Sequence, residues 1–207
     1  CCGSDFYEFD APTAVIMFRN NSITDLQATA FHEMWHASRW GGQGGWIDEG
    51  TASNMSDHVD LAVDNNSFDY IGKVHGYLGG NYKNQLSRVE YDAAMFWSYF
   101  MERAGSITTE PDRGVDAMRD FWNNGGNGFT SIDNVIRAKL PGQDIKSVWA
   151  DFTVANYAKE LSAIPDKYKY QDELQSGAPN YPAPGALDLD ISVSMSGGIT
   201  TTTDMQP

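Results

Sequence analysis

His32 and His36 flank Glu33 in the segment His32-Glu33-Met34-Trp35-His36. On an α-helix, residues at i and i+4 share one face and stand about 6 Å apart along the axis. Two imidazole nitrogens so placed can reach one metal ion at about 2.0–2.1 Å. Glu33 sits beside the first histidine, so it can reach water at that ion as a general base without being a ligand. The chemistry this suits is hydrolysis at a carbonyl, with zinc as the ion. The pattern fixes only three positions, and chance produces it in on the order of one in a few hundred chains of this size. Ordinary helix histidines are the plainer reading of the same letters.

The motif requires a helix behind a strand, and the neighbouring residues supply both. Residues 12–18, Pro-Thr-Ala-Val-Ile-Met-Phe, are apolar and β-branched and read as a strand. Thr24 or Asp25 can cap a helix over about 25–39, whose apolar face carries Leu26, Ala30, Phe31, Met34 and Trp35. The glycine-rich run at 41–45 breaks it, and a second helix begins near Trp46. Residues 60–84 are polar and rich in Gly and Asn, the composition of a long loop. Residues 88–104 read as an amphipathic helix with Tyr91, Ala94, Met95, Ser98, Tyr99 and Met101 to one side. Further helical segments are expected near 112–123, 131–139 and 144–161. A stiff Pro/Gly linker at 176–185 precedes a strictly alternating strand over 187–195 and a return strand over 199–203.

The second helix opens with Trp46-Ile47-Asp48-Glu49-Gly50-Thr51-Ala52. An HExxH helix followed by a W-x-x-E-G-x-A helix start resembles the gluzincin peptidases, particularly the peptidase MA-like group. The resemblance covers residues 12 to about 160. It implies a zincin-like catalytic domain, Zn2+ as cofactor and a peptide or protein as substrate. It makes Glu49 the third metal ligand beside His32 and His36, with Glu33 as general base. One carboxylate partly offsets the charge of the dication and leaves a fourth position open. The segment Tyr91 to Gly105 is similar to the helix that follows in such proteins, and that implies Tyr91 as donor to a developing oxyanion. Simpler roles exist for both: Glu49 as a first-turn acid favoured by the helix dipole, Tyr91 as packing between helices.

The chain departs from the pattern in three places. Twelve residues separate His36 from Glu49, fewer than in the better-known members. Those members often place an acidic residue four positions after the ligand glutamate to orient a histidine, and here that position is Ser53, with Asn54 beside it. Most of the sheet that usually precedes the HExxH helix is missing.

The expected architecture is therefore α+β and predominantly helical, with a short β element before the HExxH helix and a C-terminal β-hairpin. Residues 1–175 form the catalytic domain, 176–185 the linker, and 186–207 the hairpin or the start of a β domain. A rival reading keeps the zincin fold as a structural or adhesive cell-surface domain, its tail at 186–207 adding a strand to a neighbouring subunit.

Composition narrows the remaining classes. Of 207 residues, 41% are hydrophobic, enough for a packed core. The formal net charge of -14 disfavours nucleic acid and anionic lipid as partners. No apolar run approaches the ~20 residues that span a bilayer. Cys1 and Cys2 are the only cysteines; a bridge to another segment, a lipid-bearing first residue and an arbitrary boundary all remain open. Sequons at Asn20, Asn54 and Asn65 are compatible with an extracellular or cell-surface protein. His58 and His75 read as surface or loop histidines, and the tryptophans at 35, 46, 97, 122 and 149 as core.

Overall fold

The computed structural model describes residues 6–10, 13–17, 23–38, 45–59, 73, 76–109, 111–158, 165–168, 170, 190–194 and 200–204. These residues are predominantly helical. Strand β1 (Phe6–Asp10) pairs antiparallel with β2 (Thr13–Met17), in a register running from Phe6 opposite Met17 to Asp10 opposite Thr13. Helix α1 (Ile23–Ala37) follows, and α2 spans Gly45–Val59. Residues 76–79 are helical, and short 3-10 segments at Asn81–Lys83, Leu86–Arg88 and Glu90–Ala93 lead into α3 (Ala94–Ala104). Then come α4 (Val115–Asn123), α5 (Phe129–Lys139), α6 (Ile145–Ala158) and a 3-10 turn at Asp166–Tyr168. A second antiparallel pair, β3 (Asp190–Ser194) and β4 (Thr200–Asp204), sets Asp190 opposite Asp204 and Ser194 opposite Thr200. These strands of the tail take each other as partners. The linker at 176–185 lies outside the described residues.

Helix α3 is the centre of the fold, and it corrects the sequence reading. The expected stripe of Ala94, Met95, Ser98, Tyr99 and Met101 is buried, but so are Phe96, Trp97 and Phe100 on the other side. A helix apolar all round belongs inside a core. Its aromatic residues explain why: Trp97 meets Trp46 at 5.4 Å and Phe121 at 4.8 Å, and Phe96 meets Phe152 at 5.5 Å. Rings of this size bury large apolar areas and dominate core energetics. The α-helix also starts later than residue 88, because Glu90–Ala93 is wound as a 3-10 segment. The expected loop over 60–84 is likewise partly helical, at 76–79 and 81–83.

Of the five tryptophans assigned to the core, Trp46 and Trp97 are buried, and Trp35, Trp122 and Trp149 pack partly buried against it. Gly50 lets α2 approach α3 closely: a Cβ there would lie 2.9 Å from Ala93 Cβ and 2.9 Å from Trp97 Cδ1. The indole of Trp97 donates to the Trp46 carbonyl at 2.9 Å and pins the first turn of α2 onto α3. The indole of Trp35 donates to Thr51 Oγ1 at 2.8 Å and sets the register of α1 against α2. Among the described residues, no helix is long and apolar enough to cross a membrane.

Candidate metal centre

His32 and His36 lie on the face of α1 turned towards α2, and Glu49 lies in the first turns of α2 facing back. The Trp35–Thr51 bond joins the same two helices. Nε2 of His32 is 3.0 Å from Oε2 of Glu49, Nε2 of His36 is 3.4 Å from the same oxygen, and the two Nε2 atoms are 3.1 Å apart. The His32 and His36 rings are edge-on, 4.8 Å between centroids. His32 is buried, and His36 and Glu49 are part-buried.

A triangle of 3.0, 3.1 and 3.4 Å is the shape a metal ion asks for. Bonds of about 2.0–2.1 Å at tetrahedral angles put neighbouring ligand atoms about 3.3–3.4 Å apart. Hydrogen bonding alone satisfies the triangle poorly. If both Nε2 atoms carry protons, both donate to Glu49 and two N–H groups crowd each other. If neither does, three lone pairs converge on one point. A cation that takes the place of those protons removes both conflicts, since each nitrogen then offers it a lone pair. The donor set of two imidazoles and one carboxylate suits zinc, and the three atoms could hold a metal ion with a coordination position to spare.

Electrostatics around the triangle follow from this crowding. Burial opposes the charge on Glu49, but hydrogen bonds from His32 and His36, and their charge, outweigh it and bring the carboxyl down to about 2. Burial likewise opposes the His36 imidazolium, yet the hydrogen bond and charge of Glu49, with Glu33 and Asp48 behind it, hold its pKa above the ordinary value. Glu33 is part-buried and close enough to act on both His36 and Tyr91.

The structure brings Tyr91 to the same place. Its ring stacks on His32 at 5.7 Å. Burial, then the charge and hydrogen bond of Glu49, then Glu33 and Glu90, push the phenol pKa well above its usual range. The hydroxyl is therefore protonated, and a donor, at neutral pH. The preceding residue explains the presentation: Glu90 has φ 41, the one non-glycine residue with positive φ among those described. That turn of backbone, with the 3-10 winding after it, points Tyr91 back towards α2. Lys73 Nζ lies over the Tyr91 ring, 4.6 Å from its centroid.

Other positions differ from, or add to, the sequence reading. His58 is 7% exposed, so it is a core residue of α2 and not a surface histidine. His75 lies outside the described residues. Asn54 is 0% exposed, and neither polar atom of its amide has a hydrogen-bond partner. A glycan has no room there, so this sequon is a chance match; Asn20 and Asn65 lie outside the described residues. Ser53 sets its Oγ 3.4 Å from Nδ1 of His32. The i,i+4 spacing of Glu49 and Ser53 was the signal for that contact. Nothing in the sequence signalled Lys73 over Tyr91.

No family model matches the chain, and no curated protein and no solved structure matches it at a significant level.

Proposed function

We propose that the chain is a zinc-dependent peptidase of the gluzincin type, with a zincin-like α+β fold. The supporting observation is the triangle of His32, His36 and Glu49, whose edges match the ligand spacing of a tetrahedral zinc site. When bound, the ion supplies positive charge that polarises a substrate carbonyl and acidifies water. The residues of the chain do the rest. Glu33 takes the proton of the attacking water and returns it to the leaving amine. Tyr91, kept protonated by burial and neighbouring carboxylates, donates to the oxyanion as it forms. Glu49 supplies the single negative ligand, and His32 and His36 the neutral ones.

An extracellular or cell-surface setting is part of this proposal, although the buried Asn54 sequon adds nothing to it. Strand donation by the tail gains no support from β3 and β4, which pair with each other.

The test separates holding the ion from using it. Wild type and Glu33→Gln are loaded with zinc, and metal content and hydrolysis of a peptide library are measured. Both should hold about one zinc per chain. The variant should lose roughly 100- to 10,000-fold in rate, the share of a general base. A wild type that takes up no zinc when it is supplied would end the proposal, as would a Glu33→Gln protein of undiminished activity.

A further inference from the structure

A pocket of about 450 Å³ opens where the Leu86–Arg88 segment meets the first turns of α5 and α6. None of the triad's side chains lines it. Its apolar walls are Leu86, Phe129, Ile145 and Trp149. Ile145 and Trp149 are one turn apart on α6, so they share a face. Lys146 stands beside them and is the one charged side chain of the lining. An apolar cavity of this volume with a few converging polar groups is the ordinary form of a small-molecule site.

Phe129 shows that the wall is open. Its ring stacks on Trp46 at 4.9 Å, yet 46% of the residue remains exposed. An apolar group laid against the rest of that ring leaves water together with it, which is favourable.

We propose that this pocket binds a small aryl carboxylate, its ring against Phe129 and Trp149 and its carboxylate at Lys146. Among the described residues Lys146 makes no ion pair. The acid nearest to it in sequence, Asp144, is already engaged: it accepts from the Ser147 amide at 2.9 Å and faces Arg137 at 3.7 Å. The ammonium is therefore left for a ligand, and a cationic ligand would meet it head on. The net charge of -14 repels anions from a distance. Salt screens charges beyond about 8 Å under physiological conditions, so the adjacent ammonium decides the sign of the site. This binding does not rest on the triad, and a chain that held no zinc would still show it.

The experiment takes the full chain, metal-free, with 4-phenylbutyrate as the probe and 4-phenylbutanol as its uncharged counterpart. Calorimetric titration should show saturable binding of the acid with a Kd below about 1 mM. In nitrogen-15 tryptophan spectra the Trp149 indole signal should shift on binding. The signal of Trp35, whose indole is bound to Thr51 beside the triad, should stay. Lys146→Met should weaken the acid about 3- to 5-fold and leave the alcohol unchanged. Lys146 is exposed, so a folding defect does not confuse that comparison. Phe129→Ala should weaken both ligands, by roughly 10-fold. No saturable binding, or equal losses of acid and alcohol in Lys146→Met, would overturn the proposal. Binding of the acid that requires added zinc would place the carboxylate at the triad and overturn it too. So would acetyl-Gly-Gly-Phe binding at Trp149 more tightly than the small acid, since the occupant would then be the end of a peptide chain.

Discussion

Two carboxylates on the inner faces of this molecule, Glu49 and Asp116, are both held below the usual carboxylate range, and by opposite means. Asp116 is completed by its own chain. It accepts from the Ser106 amide at 3.0 and 2.9 Å and from the Ile107 amide at 3.3 Å, and it binds the Lys139 ammonium at 2.8 Å. Lys139 also reaches Asp120 at 2.9 Å. Burial works against the Asp116 charge, but these donors outweigh it. Glu49 faces two imidazoles whose own nitrogens are 3.1 Å apart. Its charge is held by hydrogen bonds from those two rings rather than by backbone amides and an ammonium of the kind that hold Asp116. A finished network rigidifies a fold, and an unfinished one of this shape invites a ligand.

The comparison is broken most directly by removing each carboxylate in turn. A structural zinc site is worth about 10–16 kcal/mol, so loss of one protein ligand of three should cost roughly 4 kcal/mol, about a thousandfold in affinity. Glu49→Ala should therefore lose zinc on dialysis while wild type keeps it, as read by elemental analysis. Its metal-free form should unfold at a somewhat lower denaturant midpoint than wild type, because the contacts that hold Glu49 ionised go with the carboxylate. Asp116→Ala should do the opposite. Leaving Lys139 and two amides without their partner should cost about 3 kcal/mol of stability, with zinc affinity unchanged. Zinc loss in Asp116→Ala at temperatures where it is folded would erase the distinction.

Acid sharpens the same contrast. The folded pKa of Asp116 lies below the unfolded value, so its contribution is full above the ordinary carboxylate range and is lost as pH falls through it. Unfolding midpoints taken from about pH 5 down to about pH 2 should fall, and fall less in Asp116→Asn. Glu49, lowered to about 2, adds in the same direction in metal-free protein. The proposed zinc site responds earlier. The His36 pKa is raised, so its proton competes with the ion at a higher pH than an ordinary histidine's would. Zinc affinity should begin to fall as pH drops from about 8 towards 6, where the Asp116 network is still intact. An affinity flat over that window would mean that His36 is not a ligand.

These two regions were not equally legible in the sequence. The triad could be read because its spacing is local: His32 and His36 are one turn apart, and Glu49 opens the next helix. The helices that carry it end within two residues of where periodicity and glycines put them on the N-terminal side of α1 and at the start of α2. Asp116 could not be read, because its partners at 106, 107 and 139 are set by how α4 and α5 fold back on each other. The all-round burial of α3 escaped for the same reason. Trp97 looks like one more aromatic until Trp46 and Phe121 are seen on either side of it. The contact of Ser53 with His32 was half legible, in the spacing from Glu49 but not in the ring it would meet.

The smallest effect tests whether the triad's surroundings also carry backbone strain, which no non-glycine residue near Asp116 shows among those described. Glu90 has φ 41 immediately before Tyr91, a conformation that costs a non-glycine residue of order 1–2 kcal/mol. Glycine removes that cost but adds about 0.5–1 kcal/mol of unfolded-chain entropy. Glu90→Gly should therefore raise stability by up to about 1 kcal/mol in denaturant melts. The same freedom lets Tyr91 leave its stack on His32, so kcat should drop while zinc affinity holds. Strain kept at a working residue is given up by exactly such a substitution, with stability gained and rate lost together. A Glu90→Gly protein that is less stable than wild type would show that the turn is an ordinary connection, and that Tyr91 is held in place by packing alone.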